Sequence, residues 1–163
     1  MKKKKWMRIG IALALSVSMT AGTAAVPAVA EASTGSIIGA IIGGAVAASE
    51  MNKQIKYYNT TEEGRQELFK QLQEKYGVYY RYDLNTQLDR IFTNLTAAIG
   101  SMDASIYDRP YNYFINKEDS FNAFCTLGHN MSVNVGLYSY LTNEDEIAVV
   151  LAHEMGHGQK DHP

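Results

Sequence analysis

Cysteine is nearly absent from this 163-residue chain, which carries Cys125 alone. A single cysteine excludes an intrachain disulfide framework. No cysteine lies near the start of the mature chain either, which excludes a lipid anchor attached there. Cys125 itself reads as a small buried apolar residue, with a thiol paired to His129 as the competing reading. Basic charge is also scarce. The formal net charge is −2, and setting residues 1–32 aside leaves 10 basic and 16 acidic residues, a net charge of −6. That balance excludes the basic face a nucleic-acid partner requires. Long apolar runs are few, and the one at residues 9–30 sits close to the N-terminus.

That run follows Lys2, Lys3, Lys4, Lys5 and Arg8, and small residues end it at Ala28-Val29-Ala30 and Ala30-Glu31-Ala32. A basic start, a short apolar core and small residues at the cut identify residues 1–32 as a secretory signal peptide. An uncleaved anchor is the alternative, since residues 9–30 lack charge and are long enough to span a bilayer. The chain is therefore expected to be exported, to a periplasm or cell envelope.

Residues 33–50 form a second unusual segment, with Gly35, Gly39 and Gly43 at every fourth position. On a helix these glycines make a smooth stripe suited to close helix packing. Membrane contact, self-association and a flexible apolar linker are the three readings.

From residue 51 onward the pattern is globular, and residues 51–163 are expected to form the N-terminal part of one domain. Thr60-Thr61-Glu62-Glu63 can cap a helix that carries Leu68, Phe69 and Leu72 and ends at Tyr76-Gly77. A second helix is expected over residues 84–99, with Leu88, Ile91, Phe92 and Leu95 on its apolar stripe and Gly100 as its stop. Tyr79, Tyr80 and Tyr82 between them read as packing residues, and residues 101–110 as loop. Short strands are expected over 111–115, 122–126 and 131–135, with turns at 117–120 and 128–130. His129, in the latter turn, reads as a solvated histidine, with a ligand-touching residue as the competing reading. Helices, a small sheet and a further helix make an α+β fold.

That last helix carries the chemistry. Asn143, Glu144 and Glu146 mark its start, with an Asn143-to-Glu146 spacing like a capping box. Ile147, Val150, Leu151 and Glu154 follow at helical spacing, and apolar flanks predict a buried helix that carries its histidines into a protected site. It contains His153-Glu154-Met155-Gly156-His157. Histidines four apart on a helix share one face and can grip one metal ion, while the glutamate beside them can take a proton from metal-bound water. His153 and His157 are thus the candidate ligands and Glu154 the candidate general base. Glycine and histidine three and six residues past the motif, which a metzincin needs, are replaced by Lys160 and Pro163. His162 would point away on a continued helix.

Residues 121–162 resemble the M48 family of zinc metallopeptidases. Asn122-Ala123-Phe124 is similar to the family's N-A-F strand, Gly136-Leu137 to its G-L, and residues 143–154 to its acidic, alanine- and valine-rich run into H-E-x-G-H. His162 matches a histidine often found after the motif. Thr126-Leu127-Gly128-His129 and Asp161 depart from the family's L-P-G-G and arginine.

The resemblance implies a zincin-like (gluzincin) fold, one zinc ion per subunit, and a third ligand that is a glutamate on a later helix, past residue 163. It also implies an envelope endopeptidase acting on protein or peptide substrates, with a role in protein quality control. A substrate would lie along the strand at Asn122, Ala123 and Phe124, held by main-chain hydrogen bonds. A catalytically silent, chaperone-like or membrane-associated binding module is the alternative function.

Overall fold

The computed structural model describes residues 48–159. The signal-peptide reading, the stripe at Gly35, Gly39 and Gly43, and His162 lie outside the described residues. The order of elements is α1 (Ala48–Thr60), α2 (Glu62–Tyr76), α3 (Tyr82–Gly100), a 3-10 turn (Ala104–Tyr107) and β1 (Asn112–Asn116). Then come β2 (Ala123–Thr126), a 3-10 turn (Leu127–His129), β3 (Asn130–Asn134), α4 (Leu137–Tyr140) and α5 (Glu144–Gln159). The described part is a helix-rich α+β fold with one three-stranded sheet, as the sequence leads one to expect.

Local chemistry explains most boundaries. The Thr61 hydroxyl accepts the Gly64 N–H at 3.0 Å and starts α2, and the Gly77 N–H closes its end on the Gln73 carbonyl at 2.9 Å. The expected helix over 84–99 runs from Tyr82 to Gly100, and the expected strands shift by one residue at most of their ends. The stretch read as loop holds a 3-10 turn that buries Ile106 completely. Helices α1 and α4 are additions to the expected elements. One expectation needs correcting: only Tyr79 packs against the core, while Tyr80 and Tyr82 are 73% and 76% exposed. For Tyr79 and Tyr80 the cause is the extended chain at Val78 and Tyr79, which pairs with β1 (the Tyr79 N–H donates to the Ile115 carbonyl at 2.8 Å). Alternate residues there face opposite ways. Tyr82 stands instead at the exposed start of α3.

The strand order is β1-β3-β2, with β1 parallel and β2 antiparallel to β3. Register sorts the side chains into two layers. Phe114, Ser132 and Phe124 lie in one cross-strand row, and both phenylalanines pack with Leu68 and Leu72 of α2 and Tyr58 of α1. The alternate rows, Ile115-Val133-Ala123 and Tyr113-Met131-Cys125, face α3 and α5. There they meet Leu88, Ile91 and Phe92 of α3 and Ile147, Val150, Leu151 and Met155 of α5. The sheet is thus sandwiched, with α2 on one face and α3 and α5 on the other. Strand β2 forms an edge, and α5 packs against it.

Candidate metal centre

Two devices fix the start of α5. The Asn143 side chain accepts the Asp145 N–H at 2.9 Å, and its carbonyl accepts the Ile147 N–H at 3.3 Å. Arg90 of α3 then grips Glu144 with two donors, Nε to Oε1 at 2.8 Å and Nη2 to Oε2. That guanidinium holds the Glu144 carboxyl below the usual range, so the carboxylate is spoken for. From this fixed start, Ile147, Val150, Leu151, Glu154 and Met155 fall on one stripe and are buried.

The expectation of a helix buried all round is corrected: Val149 is 53% exposed, His153 is exposed and His157 half-buried. A stripe of positions 147, 150, 151, 154 and 155 covers one side of a helix, and the histidines flank it rather than lie in it.

Their rings nevertheless converge. His153 Nε2 and His157 Nε2 are 3.2 Å apart, with ring centroids at 4.7 Å. Two nitrogens bound to one tetrahedral zinc would be separated by about 3.3 Å, given metal–nitrogen distances of about 2.0–2.1 Å. The pair therefore fits two corners of such a site. Among the described residues, no group of three or more His, Cys, Asp and Glu is placed to hold a metal ion.

Glu154 points the other way, toward the sheet, and is 2% exposed. Burial pushes its carboxyl up to about 7, partly offset by a hydrogen bond from the Cys125 main chain. Its Oε2 is buried with no hydrogen-bond partner, an arrangement that costs stability and is common where a carboxylate does chemistry. The Asn134 N–H donates to the Asn122 carbonyl at 3.0 Å. Alternation along β2 then turns the main chain of Ala123 and Cys125 to the outer edge, beside Glu154.

Of the candidate substrate residues, Ala123 thus turns its main chain to that edge while Asn122 and Phe124 face β3, and the side chains of Ala123 and Phe124 serve the core. Ala123 joins the α3/α5 layer, and Phe124 meets the Tyr76 ring edge-on at 5.5 Å on the opposite face. Cys125 is buried as expected, and burial, then the Glu154 charge, pushes its thiol far above the ordinary range. A thiol held protonated is a poor nucleophile, which counts against the Cys125–His129 reading.

His129 corrects another expectation. It is 6% exposed rather than solvated. Gly128 (φ 68°) and His129 (φ 56°) form a left-handed turn that swings the imidazole inward. The ring stacks on Tyr111, centroids 4.5 Å apart and 13° from parallel, and Nδ1 lies 2.7 Å from the Arg109 carbonyl.

Two supporting residues escaped the sequence reading. Tyr111, the first residue of the expected first strand, donates its hydroxyl to the Met155 carbonyl at 2.7 Å, inside the turn that bears both histidines. Arg65, buried in α2, donates to the Gly128 carbonyl at 2.6 Å and to that of Pro110, and pairs with Glu62. Neither contact leaves a local sequence signal, since the partners are 44 to 63 residues apart.

Residues 83–163 match the model of peptidase family M48. This chain belongs to that family. The M48 segment begins in α3 and takes in the sheet and α5, so it reaches further upstream than the stretch that carries the resemblance in sequence. A beta-barrel assembly-enhancing protease from Yersinia pestis is 31% identical over 77 residues, 45% of this chain and 16% of the relative. Its counterpart from Escherichia coli (strain K12) is 36% identical over 53 residues, 32% of this chain and 11% of the relative. A putative beta-barrel assembly-enhancing protease of Vibrio cholerae is 28% identical over 79 residues, 48% of this chain. The chain therefore spans less than a fifth of the length of these relatives. Family membership supports a metallopeptidase. Among the described residues, no helix is long and apolar enough to cross a membrane.

Proposed function

We propose that this chain is part of a zinc-dependent endopeptidase of the cell envelope. The observation that carries the reading is the convergence of His153 and His157 to 3.2 Å on the helical turn whose other side carries the buried carboxyl of Glu154, within the M48 segment. Imidazole is a favoured zinc donor, and His153 and His157 would hold the ion through Nε2, with a third ligand from outside the described residues. Bound zinc supplies a Lewis acid that polarises a carbonyl and makes water acidic near neutral pH.

The chain's own groups supply the rest. Glu154, with a carboxyl that titrates near neutrality, accepts the proton of the attacking water and delivers it to the leaving amine. Of the candidates Asn122, Ala123 and Phe124 along β2, Ala123 turns its main-chain donor and acceptor to the free edge, where they would align an extended substrate, while Asn122 and Phe124 hold the strand on β3. The zincin-like fold and the cleavage of envelope proteins are part of the same proposal. The names of the relatives and the basic, then apolar, start of the chain support the location.

Glu154→Gln in the full-length protein tests this reading. Proteolysis of an unfolded protein substrate should fall by about 10²–10⁴-fold while stoichiometric zinc is retained. Proteolysis at the wild-type rate would overturn the assignment. Metal binding without any proteolysis in the wild type would favour a binding module.

A further inference from the structure

We propose that Tyr111 is the positioning residue of the metal-binding turn, an inference that rests on the metallopeptidase reading above. Met155 lies midway between His153 and His157, and its carbonyl belongs to the peptide that joins it to Gly156. Glycine is the most pliable residue a helix can carry, and here it sits between the two ligands. Nothing else crowds it: a Cβ built at Gly156 would meet no atom within 4 Å. The turn that must hold two imidazoles at one separation therefore contains its own weak point.

The Tyr111 hydroxyl acts at that point. It donates to the Met155 carbonyl at 2.7 Å and fixes the plane of the peptide leading into Gly156. The ring is itself clamped. His129 stacks on it with centroids 4.5 Å apart, and the Phe92 ring lies 6.3 Å away, tilted by 45°. On the helix side, Gly158 leaves the room the hydroxyl needs, since a Cβ there would come within 2.8 Å of both the Tyr111 oxygen and Cys125 Sγ. The left-handed His129 turn, anchored on the Arg109 carbonyl at 2.7 Å, closes the support from behind. A residue outside the motif thus sets the relative orientation of the two histidines through the backbone between them.

The test is cobalt titration of metal-free, full-length protein, read by visible absorption and by melting temperature. Tyr111→Phe keeps the ring and removes only the donor. It should raise the cobalt Kd by about tenfold or more, as loss of an outer partner does at metal sites. It should also alter the d–d bands, while the metal-free melting temperature moves by no more than about 5–8 °C. Gly156→Ala stiffens the same peptide by another route and should recover about two- to fivefold of the lost affinity in the Tyr111→Phe background.

A Kd for Tyr111→Phe within about twofold of wild type overturns the inference. So does a loss that Gly156→Ala leaves untouched, or a melting temperature lowered by more than about 15 °C, which would mark a general structural role. If the wild type takes up no cobalt, the metallopeptidase reading fails and this inference falls with it; the other outcomes leave that reading standing.

Discussion

Glu154 is held in its neutral form by burial, whereas the role proposed for it needs the ionised one. The conflict is measurable in the metal-free protein. Its folded carboxyl titrates near 7, against an ordinary value of 4.5, so the folded chain holds the proton more tightly than the unfolded chain does. The stabilisation is therefore complete below pH 4.5 and is lost as pH rises toward 7. With chelator present, wild type should lose about 2–3 kcal/mol relative to Glu154→Gln across that window, measured by urea unfolding at a series of pH values. Parallel pH profiles for the two proteins would contradict it.

The two glycines after Met155 make an opposite pair. Gly156→Ala places its methyl in open space and should stabilise the metal-free helix by about 0.5–1 kcal/mol. Gly158→Ala drives a Cβ to 2.8 Å from Cys125 Sγ and the Tyr111 oxygen, and should cost about 1–3 kcal/mol as α5 shifts off the sheet. Equal shifts in the urea midpoints of the two variants would refute the close approach.

At the scale of elements, legibility followed the range of the determining interaction. Helix α2 could be read because Thr61 and Gly77 act within four residues of themselves. The metal turn could be read because a spacing of four is one helical turn whatever surrounds it. His129, Tyr80 and Tyr82 were misjudged because their environment is set by distant partners. The imidazole is drawn inward by a left-handed turn onto Tyr111, Tyr80 is turned out by the pairing of its neighbours with β1, and Tyr82 stands at the exposed start of α3. The buried stripe of α5 was legible, but its exposed flank was not, because alanine and valine carry no marker of which side faces a neighbour. The clamp between α3 and α5 belongs to this scale. Arg90 and Glu144 are joined by two donors but sit at the surface, where screening and side-chain entropy offset most of the attraction. Arg90→Ala should lower stability by less than about 1 kcal/mol and leave metal affinity unchanged, as a denaturant series and a cobalt titration would report. A larger loss accompanied by weaker metal binding would mean that this pair positions the whole helix.

For the whole molecule, the family boundary and the physical boundary do not coincide. The M48 match begins at residue 83, yet α1 and α2 lie before it and cover one entire face of the sheet. Without them, Phe114 and Phe124 would lose Tyr58, Leu68 and Leu72 as neighbours and stand in water on the two edge strands that flank β3. Exposing each phenylalanine would cost about 1.5–3 kcal/mol. The polar joints between layers would go as well: the Arg65 guanidinium on the Gly128 carbonyl, the Asn59 side chain on the Gly128 N–H, and the Asn130 amide on the Arg65 carbonyl. Those joints hold the turn that presents His129 to Tyr111, so the loss would reach the metal helix from the far side of the sheet. Total stabilities of single domains are about 5–15 kcal/mol, and a deficit of this kind consumes a large share of that. The protein shortened to begin at residue 83 should therefore bind a hydrophobic dye and lack a cooperative melt, whereas one beginning at residue 48 should melt cooperatively. A cooperative melt from the shorter chain would show that α3, α5 and the sheet suffice, and that the α1–α2 layer is dispensable to the metal turn.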